Sequence, residues 1–179
     1  MKVEIRVAGF GGQGVAVAGY ILGKAASLYQ GLEAVMTQAY GPEARGGASS
    51  SDIILADAPI DYPFLAKADV LVVLSQEAYA RFRPQARPEA VILIDEGLVT
   101  ADPEDRPHRI PATALAEGLG RRLVANVVML GFFCATTGII QRQALEESIR
   151  TTVPERTIPL NLQAFALGYE HAHEAEPVR

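Results

Sequence analysis

The run Gly9-Phe10-Gly11-Gly12-Gln13-Gly14 has the spacing G-x-G-x-x-G. It follows a short apolar strand, Val3 to Ala8, and precedes a long stretch of small and apolar residues, Val15 to Gln30. Glycines at this spacing let the backbone turn tightly and come close to an anion, which the free N–H groups and positive dipole end of the next helix then face. A dinucleotide would also need an acidic residue at the end of the second strand, for the ribose hydroxyls. Thr37-Gln38 stand there instead, and Glu33 lies before that strand, so an intact NAD site is disfavoured. Two readings stay open: a phosphate-bearing ligand of another kind, or a tight turn with a purely structural task.

A second unusual loop is Gly41-Pro42-Glu43-Ala44-Arg45-Gly46-Gly47. Gly-Pro starts a turn, and the Gly46-Gly47 pair permits positive φ. The loop is either a surface turn with solvated Glu43 and Arg45, or it reaches the same crevice as the first, since both follow strands at their carboxyl ends. In the second case Arg45 offers a forked donor to a phosphate or carboxylate. Asn126 opens an apolar helix, where its amide is either a structural cap or a polar contact into the crevice. Asp95-Glu96 close a buried strand and suit a turn as well as a site. His108 lies in a polar loop, and His171 and His173 do not share a helical face, so none points to a triad or a metal site. Cys134 reads as a buried apolar residue. No catalytic residue and no metal ligand emerges.

The elements that must position these residues belong to a chain of 179 residues, 49% hydrophobic and 21% charged, which is globular and not disordered. A net charge of −5 without any Lys/Arg cluster speaks against nucleic acid. The longest apolar stretch, Val127 to Ala135, falls short of the roughly 20 residues of a membrane span. The start, Met1 to Val7, alternates and is charged, as a strand is and a signal peptide is not. One cysteine excludes an internal disulfide and a cysteine-held cluster. A single domain, 1–179, in the reducing cytoplasm is expected.

Periodicity alternates between strand and helix. The helix from Val15 carries glycines 19 and 23 one turn apart, which would let it lie close against a sheet, and Gly31 fits its C-cap. Strands follow at Ala34–Gln38 and Asp52–Ala56, with Ala58-Pro59-Ile60 as a hairpin return. Val70–Leu74 and Val91–Ile94 are continuous apolar runs, as in strands covered on both faces, with a helix Gln76–Phe82 between them. Ala101–His108 reads as a polar loop, and a short helix runs from Pro111 to near Gly118. Helices Ala125–Thr137, Gln141–Thr152 and Ile158 to about His171 complete the chain. The last has two apolar stripes, Leu162/Phe165/Ala166/Tyr169 and Leu160/Ala164/Leu167, and so wants two things to pack against, one of them a partner subunit. The expected fold is α/β: a three-layer, Rossmann-like domain with a mostly parallel sheet and a helical C-terminal part.

Several segments together resemble one family. They are the first glycine loop, Tyr40 to Gly47, Asp57-Ala58-Pro59-Ile60-Asp61-Tyr62-Pro63, Ala125-Asn126, and Asn161-Leu162 through Gly168-Tyr169-Glu170. The chain resembles, along its whole length, the gamma subunit of the 2-oxoacid:ferredoxin oxidoreductases, and its second loop and Pro-Ile-Asp-Tyr-Pro stretch look most like the 2-oxoglutarate type. The resemblance implies a complex that oxidatively decarboxylates a 2-oxoacid to its acyl-CoA and reduces ferredoxin. It implies thiamine diphosphate and iron–sulfur clusters in alpha, beta and sometimes delta partner subunits, with assembly and a share of the coenzyme A site left to gamma. Gly11, Gly12, Gln13, Gly14, Arg45, Gly46, Gly47 and Asn126 are the expected contacts. A stand-alone coenzyme A or nucleotide-binding module and a purely structural subunit are the alternatives, with a homodimer possible for the isolated chain.

Overall fold

The computed structural model describes residues 1–40 and 47–175, with the side chain of Ala175 left aside. Strand β1 (Lys2–Phe10) is the organising element. It lies between β3 (Ala48–Ala56), antiparallel with Phe10 opposite Ala48, and β4 (Ala68–Val73), parallel with Ile5 opposite Val70. With β2 (Glu33–Ala39), β5 (Ala86–Asp95) and β6 (His108–Ile110), the order is β2-β3-β1-β4-β5-β6. β2 is antiparallel to β3, whereas β4, β5 and β6 pair in parallel, so β3 alone runs against the other five.

Both faces of the sheet are covered, which is why the runs at β4 and β5 are apolar without alternation. On one side Ile5, Val7, Ile53, Leu55, Val70, Val72 and Leu93 form a core with α1 (Val15–Lys24), α4 (Ala125–Thr137), α5 (Arg142–Arg150) and α6 (Ile158–Ala175). On the other, Ala8, Leu71, Val73, Ile92 and Ile94 pack on Tyr79 and Phe82 of α2 (Gln76–Phe82). The short α3 (Ala112–Gly118) joins the first core through Ala112 and Ala116. The three-layer α/β expectation holds. Among the described residues no helix is long and apolar enough to cross a membrane.

Five local expectations change. The helix from Val15 is α-helical only to Lys24 and continues as a π-helical segment, Ala25–Tyr29. Gly19 does permit close approach, since a Cβ there would stand 2.5 Å from Ser51 Cβ, but Gly23 faces open space. β3 begins at Ala48, because two of its serines are held by partners that composition does not show: the Ser51 hydroxyl donates to Val15 O at 3.0 Å and that of Ser49 to Gly9 O at 3.3 Å. Ala58-Pro59-Ile60 forms no strand, as β1 and β2 already occupy both edges of β3. Finally, His108 starts β6 instead of ending a loop, its pairing with Leu93 being set by the sheet.

A buried cross-strand pair fixes the β1–β3 register. Arg6 grips Asp52 through two hydrogen bonds, Nε at 2.7 Å and Nη2 at 2.6 Å, and its guanidinium lies 4.8 Å from the Phe82 ring centroid.

Candidate anion-binding crevice

Gly9 to Gly14 lead from the end of β1 into α1. The Gln13 N–H donates to Phe10 O at 3.2 Å, closing a four-residue turn whose third residue, Gly12, has φ +91°. That is the type II geometry, which wants glycine at this position. Gly14 follows in the left-handed region (φ 72°, ψ 28°) as the N-cap of α1, with no side-chain cap. A Cβ at Gly11 or Gly12 would meet nothing within 4 Å, so the tip of the turn is open to an approaching group. Among the described residues the N–H groups of Gly11, Gly12 and Gly14 donate no hydrogen bond. The expectation that all four residues present N–H groups therefore narrows to three, since that of Gln13 closes the turn.

Two amide side chains hold the loop from behind. Gln13 accepts from Phe10 N–H at 2.6 Å with Oε1 and donates to Leu74 O at 2.8 Å with Nε2. One side chain thus ties together the carboxyl ends of the parallel strands β1 and β4. Asn126, buried at the start of α4, donates from Nδ2 to Gly14 O at 3.1 Å, and its Oδ1 accepts from Val127 N–H at 2.9 Å. Both amides are engaged with the protein, and Asn126 is not the cap of α4, which is Val124 without a side-chain cap bond; it ties the first turn of α4 to the glycine loop instead.

The β1–β3 register sets Ala48 opposite Phe10, so Gly47 comes to the same end of the sheet as the glycine turn. Arg45 and Gly46 lie outside the described residues.

β1 crosses to β2 through α1 on one face, and β4 crosses to β5 through α2 on the other. Open α/β sheets place ligands where the crossovers part, outside the carboxyl ends of the strands. A pocket of about 150 Å³ lies there, lined by Gly12, Gln13, Leu74, Thr113, Arg122, Leu123 and Ala125. The far wall is set by Asp95, fully buried at the end of β5. Its carboxylate accepts from Thr113 N–H at 2.9 Å, Thr113 Oγ1 at 2.6 Å and Gly97 N–H at 3.2 Å. Arg122 brings an exposed guanidinium to the rim, only loosely paired with Glu117 at 3.8 Å. Sequence reasoning missed Thr113, Arg122 and Leu123. A usable signal was the basic pair Arg121-Arg122 just ahead of an apolar helix.

The insertion of β3 adds a structural reason against a dinucleotide. β2 is one strand removed from β1, so the end of β2 is not beside the glycine turn.

The remaining candidates lie elsewhere. His108 and His173 line a separate cavity of about 220 Å³ with Arg109 and Phe132, and the His171 ring meets that of Phe132 edge-on at 5.9 Å. Cys134 is buried, its thiol pushed up to about 11 by burial and donating to Ile140 O at 3.2 Å. Among the described residues no group of three His, Cys, Asp or Glu side chains is placed to hold a metal.

An open glycine turn where the strand crossovers part is a build that many α/β domains share, and similarity to known proteins narrows it. Residues 4–171 match the pattern of the pyruvate ferredoxin/flavodoxin oxidoreductase family, to which the chain belongs. It is similar to the 2-oxoglutarate synthase subunit KorC of Methanocaldococcus jannaschii, 48% identical over 97% of this chain and 96% of that one. In three dimensions it is similar to the gamma subunit of a keto/oxoacid ferredoxin oxidoreductase from Geobacter sulfurreducens, with TM-score 0.88, 38% identity and 99% of both chains covered. A 2-oxoglutarate:ferredoxin oxidoreductase from Magnetococcus marinus, solved with 2-oxoglutarate, coenzyme A and succinyl-CoA bound, shares the fold (TM-score 0.83, 23% identity). The domain spans 99% of this chain but 32% of that one. The family resemblance seen in the sequence is borne out: this is a gamma subunit of the 2-oxoacid:ferredoxin oxidoreductases, part of an oxidoreductase complex.

Proposed function

We propose that this gamma subunit serves a 2-oxoglutarate-type complex and gives that complex part of its coenzyme A site. The observation that carries the reading is the open glycine turn: three N–H groups without an acceptor among the described residues, no Cβ in the way, and Arg122 on the neighbouring rim. Backbone N–H groups at a helix start, with a guanidinium beside them, suit a phosphate. Gly11, Gly12 and Gly14 would meet the phosphate end of coenzyme A. Gln13 and Asn126 would hold the turn in shape. Arg45, Gly46 and Gly47 would add to it from the second loop. In the bound state coenzyme A supplies the thiol that carries the acyl product away. The 2-oxoglutarate assignment is supported by KorC relatives that are 43–48% identical to this chain. The oxidative chemistry itself belongs, on this reading, to alpha and beta partners holding thiamine diphosphate and iron–sulfur clusters, with ferredoxin as acceptor and the cytoplasm as setting.

Steady-state kinetics of the reconstituted complex test it. Gly11 lies outside the left-handed region and has free space around it, so Gly11→Val leaves the fold alone while filling the approach to the turn. The expected result is a raised KM for coenzyme A with the KM for the 2-oxoacid unchanged. Arg45→Ala acts in the same direction, since one charged hydrogen bond is worth about 1.5–3 kcal/mol. Wild-type coenzyme A dependence in both intact complexes would show the turn to be structural only.

A further inference from the structure

The apolar stripes that the sequence shows on α6 face the chain's own core. Ala164 and Phe165 are fully buried, and Leu160, Leu162 and Tyr169 pack on the same core. What α6 leaves free is its last turn. There, with the last turn of α4 and the end strand β6, it surrounds the cavity of about 220 Å³ that lies apart from the glycine turn. β6 brings His108 and Arg109, α6 brings His173, and Phe132, Ala135 and Ala172 add an apolar wall.

The titratable side chains of this lining are all bases, in a chain whose net charge is −5. Among the described residues six arginines pair with a carboxylate, but Arg109 is not one of them, and neither histidine holds a carboxylate either. Both helices turn their carbonyl ends this way, so recognition of an anion falls to the side chains. The His173 ring is braced by that of Tyr169, 5.0 Å away between centroids. A metal ion is the wrong occupant: a guanidinium repels it, and among the described residues no third His, Cys, Asp or Glu joins the two histidines.

We propose that this cavity binds a small organic carboxylate, with its charge on Arg109, His108 and His173 and its apolar part against Phe132, Ala135 and Ala172. The size sets the class. Sites for drug-sized ligands run to about 300–1,000 Å³, so a cavity of about 220 Å³ takes a smaller molecule than a nucleotide. The site is separate from the crevice, since Thr136 stands about 15 Å along α4 from Asn126 at 1.5 Å per residue. It therefore stands whatever the glycine turn binds. Histidine gains charge as pH falls from about 8 to about 5, so a carboxylate that stays ionised binds more tightly in that direction. The charged groups around the two histidines are Arg109, exposed Glu174 next to His173, and, behind Tyr169, Arg142 paired with Glu146; α4 brings none to the lining.

Titrating benzoate into the full chain, with the imidazole ring protons followed by NMR, tests the proposal. The signals of His108 and His173 move together and saturate. Benzamide has the same ring without the charge, and sulfate has the charge without the ring; each binds at least about tenfold more weakly. Arg109→Gln weakens benzoate by at least about tenfold, as loss of a charged hydrogen bond does, whereas Arg156→Gln, on an exposed residue ahead of α6, changes nothing. Affinity rises from about pH 8 to about pH 6 in the wild type, and that rise is lost in His108→Gln/His173→Gln. His108, Arg109 and His173 are exposed, so melting temperatures report whether each variant stays folded. Histidine signals that do not move with benzoate overturn the proposal. Equal affinity for benzamide overturns it by leaving an apolar hollow only, equal affinity for sulfate by leaving an unselective charge. Binding that is unchanged in Arg109→Gln overturns it as well.

Discussion

Replacing Gly11, Gly12 and Gly14 one at a time by alanine should give three different outcomes from one short loop. At Gly11 the backbone suits any residue and the new methyl has free space. Alanine there restricts the unfolded chain and stabilises by about 0.4–1 kcal/mol. At Gly12 the space is equally free but φ is +91°, and an L residue held at positive φ costs about 1–2 kcal/mol. Gly14 adds a collision to the same backbone cost, because its Cβ would stand 2.3 Å from Asn126 Nδ2 and drive that amide off Gly14 O. A further hydrogen bond of about 1 kcal/mol is lost, for a total of about 2–3 kcal/mol. For a chain of this size each kcal/mol moves Tm by about 2–4 °C. Thermal melts should therefore rise slightly for Gly11→Ala, fall by about 2–8 °C for Gly12→Ala, and fall furthest for Gly14→Ala. A double-mutant cycle isolates the collision: Asn126→Ala costs stability in the wild type but relieves Gly14→Ala, with a coupling near 1 kcal/mol. Additive losses at Gly14 and Asn126, or equal effects at Gly11 and Gly14, would refute this geometry of the loop.

Gln13→Glu keeps the bond from Phe10 N–H but sets a carboxylate oxygen against Leu74 O, at a loss of about 1–3 kcal/mol. The protonated acid can still donate to Leu74 O, so the variant's folded pKa lies above that of a free glutamate, about 4.3. Its deficit is then small in acid and grows as pH rises through that value; a deficit independent of pH, seen in denaturant titrations at several pH values, contradicts the clamp. Cys134, pushed up to about 11 by burial, should resist iodoacetamide at pH 8 in the folded chain and react on unfolding. Since its folded pKa exceeds the unfolded one of about 8.5, its share of stability is whole below that pH and is lost toward pH 11. Cys134→Ser should flatten that alkaline fall, and a Cys134 that alkylates readily in the native state would contradict its burial.

What the sequence showed of the fold is what short-range physics writes into it. Helix α4 is found at Ala125–Thr137, as expected, because it is apolar on every side and Gly138, with φ 63°, ends it. The two-faced burial of β4 and β5 was legible in their unbroken apolar runs. Strand order was not. Nothing in the alternation of elements says that β3 enters between β1 and β2, and the three residues of β6 become a strand only because Leu93, Ile94 and Asp95 lie beside them.

The site divides along the same line. The glycines were legible, because a turn with positive φ demands a residue type. The supports were not, because each joins residues far apart in the chain: Gln13 with Leu74, Asn126 with Gly14, Thr113 with Asp95. In each of these contacts a side chain on one element anchors backbone or side chain on another, and all three lie at the carboxyl end of the sheet. That distribution bears on function. A glycine turn left to itself samples many conformations and would lose that freedom on meeting a ligand. Tied by Gln13 to the end of β4 and by Asn126 to α4, it keeps one shape, with three N–H groups that donate to nothing among the described residues. The amides near the crevice are thus engaged in fixing the backbone, and the backbone is the part left open to meet an anion.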